Sequence, residues 1–370
     1  MSEQQAPKKS LFGSLLEKEN FYKADKIVDD LAAKLPQRKV FYSTSPTMSW
    51  MSVHGFQPGT MELLYGPKSS GKTMIALDRI KNCLAADPEA VAVFVDAEMG
   101  FEFESTVRWM RMNGVDPSRV LILREVNIKT IFEKKIMGEI QKAIKEEGIK
   151  VAIIVFDSIQ AMAVLDADEK KMAKGEATKQ DYGARANYLS RILPFYRQFV
   201  RNNRIFSTFI GQARSGGQDM FGNDVWATNG GEALYHEMQY RTLVTRTEGG
   251  KDQLLSDTTD ANGQNVVVGH KIRFVCEKNK MGEGLNREGF ADIIYLKGIV
   301  NVEEELIDLA KNLGIIKVAG SWFEFKEQKY QGSKQLAEHL RAHRSEYENL
   351  YSLCMMDASN PTKFSSGTRM

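Results

Sequence analysis

Short apolar runs alternate with charged, helix-forming stretches along the middle of the chain. Five of these runs read MELLYG, VAVFVDAE, RVLILRE, KVAIIVFDS and RIFSTFIGQ, and charged segments such as Phe132 to Glu147 separate them. Near-continuous apolar runs of this length are typical of parallel strands that helices cover on both faces. The pattern therefore predicts an α/β fold with a mostly parallel central sheet, in a core of residues 46–299.

The segments on either side of this core have different patterns. Phe12 to Leu35 carries apolar residues at roughly helical spacing among many charges, which predicts an amphipathic helical arm within residues 1–45. Its apolar face can cover its own domain or a neighbouring subunit, and oligomerisation is the role we expect. In residues 300–370, Val302 to Leu313 and Ser333 to Leu353 have helical spacing on both sides of a WFEF strand. This order predicts a small α+β C-terminal domain.

The composition and charge are those of an ordinary globular protein. The 370 residues are 42% apolar and 26% charged, and a net charge of +2 does not by itself mark a nucleic-acid binder. The cysteines are far apart and form no CxxC pair, which fits a reducing compartment. The longest apolar run, Val151 to Phe156, is far too short to span a bilayer, and no apolar segment follows the N-terminal lysines. We therefore expect a cytoplasmic protein without a membrane partner.

A glycine-rich loop joins the first strand to a helix. MELLYG is followed by PKSSGKT and then by the helical pattern MIALDRIKNCL, which gives G-x-x-x-x-G-K-[ST] in a strand–loop–helix setting. In such a loop, backbone N–H groups surround phosphates, Lys72 reaches the β- and γ-phosphates, and the Thr73 hydroxyl binds Mg²⁺. The predicted phosphate-binding residues are Gly66, Pro67, Lys68, Ser69, Ser70, Gly71, Lys72 and Thr73.

Two later strands end in carboxylates. Asp157 follows KVAIIVF and Glu98 follows VAVFVDA, so both are expected at the carboxyl edge of the sheet, where α/β proteins bind ligands. Asp157 is therefore a candidate Mg²⁺ ligand, and Glu98 is a candidate for orienting or deprotonating the attacking water. Asp96, on the same face of its strand, is an alternative for the second role. Both carboxylates could also simply cap strand ends at the surface.

Several sequence blocks together resemble the bacterial RecA recombinases. GPKSSGKT, FVDAE, IIVFDS, the Gln212 segment with MFGN and a closing GG, and EKNK come in family order, at family-like spacing, from about Lys39 to Phe325. The resemblance implies a RecA-type P-loop ATPase that uses ATP and Mg²⁺. It also implies a helical filament on single-stranded DNA that exchanges strands with homologous duplex DNA, in DNA recombination and repair.

The resemblance gives roles to residues that match the family motifs. Lys72 and Thr73 match the phosphate and magnesium ligands. Asp157 matches the Walker-B acid, and Glu98 matches the acid that activates water. Gln212 matches the glutamine that senses the γ-phosphate at the root of the second DNA-binding loop.

Three further residues have a role by resemblance and an ordinary alternative. Trp109 matches an aromatic residue over adenine, but a core tryptophan fits the sequence equally well. Lys278 and Lys280 in EKNKMGEG match lysines that reach the ATP of a neighbouring subunit, where a cation would stabilise charge on the phosphoryl group. The alternative for this pair is a solvated turn.

Two segments are candidates for binding DNA. Residues 212–231, QARSGGQDMFGNDVWATNGG, combine a cation for phosphates, apolar side chains for bases, and glycines for close backbone approach. The candidate DNA-binding residues are Arg214, Met220, Phe221, Gly230 and Gly231, while Trp226 can either contact DNA or pack against the base of its own loop. The lysine-rich segment Asp166 to Tyr182 matches the first DNA loop of the family only in position, and a solvated charge run is its alternative.

Some features depart from the family or leave other functions open. Tyr235 and His236 stand where the family has a lysine and an aromatic residue that help to pack subunits, so we expect different filament contacts, as would suit a phage or accessory recombinase. A RecA-fold hexameric helicase or branch-migration ATPase would instead form closed rings. A third alternative is an ATP-switched filament that coats DNA without strand exchange, against which Glu98 and Gln212 count.

Overall fold

The computed structural model of the chain describes residues 35–100, 103–165, 182–218, 224–228, 232–247, 252–259, 265–282 and 287–358. Most of the predicted N-terminal arm and of the lysine-rich segment therefore lies outside the described residues. None of the helices in these ranges combines the length and the apolar character that crossing a membrane requires.

Strands and helices alternate through the first part of the described chain. The strands are β1 (Met61–Gly66), β2 (Val91–Asp96), β3 (Val120–Leu123), β4 (Val151–Asp157), β5 (Phe206–Gln218), β6 (Asp224–Thr228), β7 (Tyr240–Arg246), β8 (Gln253–Thr259), β9 (Asn265–Asn279), β10 (Glu288–Ile294), β11 (Gly298–Val300), β12 (Lys317–Ala319), β13 (Trp322–Phe325) and β14 (Gln328–Gln331). The α-helices are α1 (Pro46–Met51), α2 (Lys72–Ala86), α3 (Phe103–Met112), α4 (Tyr182–Asn202), α5 (Glu232–Glu237), α6 (Val302–Asn312), α7 (Gly332–Ala342) and α8 (Arg344–Ala358). The segment between β3 and β4 is wound as π-helix over Thr130–Ile140 and Ala143–Glu147, and short 3₁₀ turns cover Pro117–Arg119 and Ile159–Ala161.

The central sheet is parallel in its middle and antiparallel at one end. Its strand order is β11-β10-β9-β7-β1-β5-β4-β2-β3, with β6 beside β5 and β8 beside β9. The strands from β7 to β3 in this order all pair in parallel, and β9, β10 and β11 continue the sheet in antiparallel pairs. This arrangement confirms the predicted α/β fold with a mostly parallel central sheet.

The sheet is buried on both faces because the apolar side chains of its strands belong to two separate clusters, one on each face. Along β1, Leu63 belongs to one cluster and Leu64 to the other, as alternate residues of a strand point to opposite faces. Helix α2 packs on the Leu64 side through Ile75 and Ile80, whereas α4 packs on the Leu63 side. Continuous apolar runs such as VAIIVF are therefore required by the two-sided burial.

The C-terminal helices share an apolar cluster with the core. Leu306 on α6, Leu336 on α7 and Leu350 on α8 belong to the same buried cluster as Leu64 and the side chains of α2. The sheet β12-β13-β14 lies beside these helices. The C-terminal segment is thus packed against the core through side chains of all its long helices.

One predicted helix is two helices in the structure. The sequence pattern over Ser333 to Leu353 suggested a single helix, but α7 ends at Ala342 and α8 begins at Arg344. His343 between them has φ −119° and ψ 76°, outside the helical region. Its backbone N–H and its ring Nδ1 both lie 2.9 Å from the carbonyl oxygen of His339, so this residue closes the last turn of α7.

A carboxylate on α6 caps the first helix of the core. Glu305 Oε1 accepts hydrogen bonds from Ser45 Oγ at 2.5 Å and from the backbone N–H of Thr47 at 2.9 Å. Its other oxygen, Oε2, is buried and has no hydrogen-bond partner among the described residues. Burial, opposed by the hydrogen bonds from Ser45 and Thr47, raises the pKa of Glu305 from 4.5 to about 7.

We expect Glu305→Gln to stabilise the protein at pH 8 but not at pH 5. The folded-state pKa lies above that of the unfolded chain, so the contribution of Glu305 to stability is full below about pH 4.5 and is lost as the pH rises through about 7. The difference in unfolding free energy between variant and wild type should therefore increase by about 2 to 3 kcal/mol between pH 5 and pH 8. Thermal or urea unfolding at the two pH values measures it. Glu304→Gln is the matched control, because Glu304 pairs with Arg341 at 3.1 Å and should show no such gain.

Candidate nucleotide-binding site

The glycine-rich loop connects β1 to α2 at the carboxyl edge of the sheet. A Cβ on Gly66 would lie 1.8 Å from the carbonyl oxygen of Val244, so this position admits only glycine. Gly71 has φ +91°, and a Cβ there would lie 2.8 Å from Ile293 Cδ1. Helix α2 starts at the next residue, Lys72. The loop is therefore held tightly against β7 and β10, with the N-terminal amides of α2 directed to one place, as phosphate binding requires.

Lys72 lies inside this loop. Its Nζ donates hydrogen bonds to the Pro67 carbonyl oxygen at 2.5 Å and to Ser70 Oγ at 3.3 Å, and only 6% of the residue is exposed. Burial lowers the pKa of Lys72 from 10.5 to about 8, although the carboxylates of Asp157 and Glu98 oppose this shift. A partly desolvated cation in this position would interact more strongly with phosphate than a solvated one.

Thr73 and Asp157 lie next to each other although they come from different elements. Thr73 Oγ1 donates to Asp157 Oδ2 at 2.7 Å, joining the first turn of α2 to the end of β4. Burial is the main cause that raises the pKa of Asp157 from 3.8 to about 6; the Thr73 hydrogen bond and Lys72 oppose it, and Glu98 adds to it. A bound cation would favour the charged carboxylate at this position.

This pair fits a magnesium ion that is also bound by phosphates. A hydroxyl and a carboxylate oxygen are the hard ligands that Mg²⁺ prefers, and it is commonly held by one or two protein oxygens plus substrate phosphates. No group of three or more His, Cys, Asp or Glu side chains in the described ranges is arranged to hold a metal ion without such help. The donor set thus agrees with a magnesium–nucleotide complex.

Glu98 lies close to Gln212, and the two side chains are hydrogen-bonded. Gln212 Nε2 donates to Glu98 Oε1 at 2.7 Å, and the buried Ser158 donates its Oγ to the same oxygen at 2.5 Å. Gln212 is also the residue of β5 that pairs with Gly66, where the glycine-rich loop begins. The candidate water-activating acid and the candidate γ-phosphate sensor are therefore in direct contact beside the phosphate loop.

Asp96, the alternative to Glu98, has other partners. It is 2% exposed, accepts a hydrogen bond from the Gly100 N–H at 3.2 Å, and pairs with Arg124 at 3.6 Å. These contacts fix the turn after β2. The geometry therefore favours Glu98 for the role at the attacking water.

Trp109 is a core residue in this structure. It is 3% exposed and packs in the same cluster as α2, with its indole next to Gly298, the first residue of β11. Its Nε1 has no hydrogen-bond partner within the described part of the chain. This placement favours the core interpretation over an aromatic face exposed to adenine.

Lys278 and Lys280 are gathered at the end of a short helix. Lys278 Nζ donates to the carbonyl oxygens of Tyr235 and, at 3.1 Å, of His236, and Lys280 Nζ donates to His236 O at 3.3 Å. These carbonyls close the C-terminal end of α5, where cations are favourable. Burial, together with neighbouring Lys280 and Arg241, lowers the pKa of Lys278 from 10.5 to about 8. The backbone carbonyl of Tyr235 therefore contacts Lys278, and that of His236 contacts both candidate lysines.

The candidate DNA-binding segment includes two paired strands. β5 continues past Gln212 to Gln218 and pairs in antiparallel with β6, with Arg214 opposite Ala227 and Ser215 opposite Trp226. Arg214 is exposed, and Trp226 is partly buried against the apolar cluster on the Leu63 side of the sheet. Trp226 therefore packs at the base of its own segment. The other candidates, Met220, Phe221, Gly230 and Gly231, lie outside the described residues.

Two residues near the phosphate loop have no counterpart in the sequence-based predictions. His270 on β9 is 3% exposed, and its Nε2 would lie 3.9 Å from a Cβ on Gly71. This nitrogen has no hydrogen-bond partner in the described ranges, and the ring Nδ1 lies 3.4 Å from the hydroxyl of the exposed Tyr295. No motif marks either residue, because His270 on β9 and Tyr295, which directly follows β10, lie far from the loop along the chain.

The fold and the site together define a P-loop α/β protein. The glycine-rich loop, Lys72, the Thr73–Asp157 pair and Glu98 all meet at the carboxyl edge of parallel strands. A family model described as RecA N-terminal domain matches residues 27–300. The chain belongs to the RecA family.

Individual relatives agree with this assignment. Protein RecA of Chloroherpeton thalassium is 30% identical over 305 residues, which is 81% of this chain and 76% of that protein. Protein RecA of Malacoplasma penetrans is 29% identical over 82% of this chain and 83% of its own length. Protein RecA of Salinispora arenicola is 31% identical over 79% of this chain and 75% of its own length.

Proposed function

We propose that the protein is an ATP-dependent homologous recombinase that forms a filament on single-stranded DNA and pairs it with homologous duplex DNA. The observation that carries the proposal is the 2.7 Å hydrogen bond between Gln212 and Glu98. It joins the strand that leads into the candidate DNA-binding segment directly to the candidate catalytic acid. A displacement of the DNA-binding segment can therefore change the position of Glu98, as DNA-dependent hydrolysis requires.

Each residue of the site has a role in this proposal. Thr73 and Asp157 would hold Mg²⁺, which neutralises charge on the phosphates, and Lys72 would contact the β- and γ-phosphates. Glu98 would orient the attacking water and accept its proton. Lys278 and Lys280 would leave the carbonyls of α5 for the nucleotide of a neighbouring subunit, where positive charge stabilises the transferring phosphoryl group.

The proposed role of the segment after Gln212 is to bind the single strand. Arg214 is exposed on the β5 extension and is available to a phosphate, while Met220 and Phe221 would contact bases. The family assignment supports this role, and the packing of Trp226 at the base of the segment favours Arg214, Met220 and Phe221 over Trp226 for contact with DNA.

ATP hydrolysis measured with and without single-stranded DNA tests the proposal. We expect the rate to rise when DNA is added, and electron microscopy of the same mixture should show open helical filaments. Equal rates with and without DNA, together with no DNA binding in the presence of an ATP analogue, would contradict the proposal. Closed rings would indicate a helicase or branch-migration ATPase, and filaments that never exchange strands would indicate a DNA-coating protein.

A further inference from the structure

Gln212 lies on β5 beyond the point where the pairing of β5 with β4 has ended, while the pairing with β1 continues. On one side, β5 pairs with β1 as far as the register Gly66↔Gln212. On the other side, its pairing with β4 ends at Phe156↔Phe209. Beyond that point the chain of β4 turns away through Asp157 and the 3₁₀ turn Ile159–Ala161. The peptide groups of Gln212 on this side therefore need another partner.

The side chain of Gln160 supplies that partner. Its Oε1 accepts a hydrogen bond from the Gln212 N–H at 2.9 Å, and its Nε2 donates to the Gln212 carbonyl oxygen at 3.2 Å. A carboxamide carries one acceptor and donors in the same plane, so it can pair with both polar groups of one backbone residue as an adjacent strand would. While the backbone of Gln212 is held by Gln160, the side-chain Nε2 of Gln212 donates to Glu98.

Gln160 is itself fixed by the element that follows the lysine-rich segment. Arg185, on α4 and 5% exposed, donates from Nη1 to the Gln160 carbonyl oxygen at 2.7 Å and to the Met162 carbonyl oxygen at 3.3 Å. The lysine-rich segment, Asp166 to Tyr182, starts six residues after Gln160 and ends three residues before Arg185. Arg185 thus joins the first turns of α4 to Gln160, and Gln160 holds the root of the other candidate DNA-binding segment.

We propose that Gln160 is a positioning residue that couples both candidate DNA-binding segments to ATP hydrolysis. It does not reach the reacting atoms. It holds the Gln212 backbone so that the Gln212 side chain meets Glu98, and it passes a displacement of α4 or of the lysine-rich segment to the same contact. This inference rests on the proposed DNA-dependent ATPase function and adds a residue that its motifs do not include.

The test is Gln160→Met, which keeps the length of the side chain and removes its hydrogen bonds. We measure the affinity for a labelled single-stranded oligonucleotide with adenosine 5′-(β,γ-imido)triphosphate and without nucleotide, and hydrolysis with and without DNA. The ratio of the two DNA affinities, and the stimulation of hydrolysis by DNA, should each fall about tenfold, as expected for loss of two hydrogen bonds. Affinity for the ATP analogue without DNA should change less than about twofold, because the hydrogen bonds of Gln160 within the described residues go to Gln212 and Arg185 and not to Lys72 or the Thr73–Asp157 pair.

Gln141→Met is the matched control, because Gln141 is a half-buried glutamine that accepts a hydrogen bond from Asn203 Nδ2 at 3.1 Å. It should leave both ratios unchanged. Gln160→Glu keeps the acceptor for the Gln212 N–H but loses the donor to the Gln212 carbonyl oxygen, so it should also lower both ratios at pH 8. If Gln160→Met does not fold, Gln160→Glu tests the positioning role in its place.

The outcomes separate this inference from the proposed function. Wild-type ratios in a folded Gln160→Met variant, with normal DNA stimulation in the wild type, would overturn the positioning role alone. An equal loss of basal and DNA-stimulated hydrolysis would also overturn it, since that pattern indicates a purely structural defect. Absence of DNA stimulation in the wild type would overturn the proposed function and this inference together.

Discussion

Lys72→Ala should lower the rate of ATP hydrolysis by at least about 10²-fold, whether or not DNA is present, because it removes a buried cation whose ammonium is hydrogen-bonded within the phosphate loop. Its desolvated ammonium is poised to stabilise charge on the phosphates, and its hydrogen bonds to Pro67 and Ser70 also shape the loop. The variant should bind the nucleotide more weakly as well. Steady-state hydrolysis and the binding of a fluorescent ATP analogue measure both effects.

Lys81→Ala is the control for this variant. Lys81 is on the same helix, α2, and donates one hydrogen bond to Thr44 Oγ1 at 3.0 Å. Its replacement by alanine therefore removes an equal charge at a position away from the loop. We expect its hydrolysis rate to stay close to that of the wild type. Substantial hydrolysis by a folded Lys72→Ala variant would show that the phosphate site lies elsewhere. A melting curve for each variant separates lost chemistry from lost folding.

The parts of the fold that local sequence determines were predicted well. Strands that are buried on both faces must be apolar throughout, so VAIIVF and the other runs mark the parallel strands within a few residues of their ends. The same holds for the glycine-rich loop. Gly66 and Gly71 must be glycine because a Cβ at either position would lie less than 3 Å from a neighbouring atom. A steric requirement of this kind appears in the sequence as a motif.

Contacts between distant segments were predicted less well. Segment 212–231 looked like a loop because of its glycines, yet Gly217, with φ +95°, accommodates an irregular step between Ser215 and Gln218 while β5 and β6 remain paired. Trp109 matches a family position, but its burial depends on Gly298, which lies far away in sequence. Gln160 could not be recognised either, because its role arises only where β4 ends beside β5.

The two lysines at the end of β9 illustrate the same limit. The EKNK motif identifies Lys278 and Lys280, but the sequence cannot tell which groups they contact within their own chain. In the structure they bind the carbonyls of Tyr235 and His236, directly after the candidate DNA-binding segment. In the proposed function, release of these lysines toward the nucleotide of a neighbouring subunit would also free the carbonyls at the end of α5.

Glu98→Gln should lower kcat for ATP hydrolysis by about 10² to 10⁴-fold while the KM for ATP stays within a few fold. The substitution keeps the size of the side chain and an oxygen that can accept from Ser158 and Gln212, but it removes the base that would take the proton of water. We also propose that hydrolysis releases DNA, so the variant should stay bound to single-stranded DNA in the presence of ATP for much longer than the wild type. Single-turnover hydrolysis and DNA dissociation rates measure the two effects.

Asp96→Asn tests which of the two carboxylates near the end of β2, Asp96 or Glu98, activates water. Asp96 holds the Gly100 N–H and Arg124 rather than Gln212, so its loss should weaken the turn after β2 and lower the melting temperature, with a much smaller change in kcat. A larger loss of kcat in Asp96→Asn than in Glu98→Gln would reverse the assignment. The hydrogen bond from Gln212 to Glu98 would then serve to position the segment after Gln212, and the acid that activates water would be Asp96, the last residue of β2, beside Arg124.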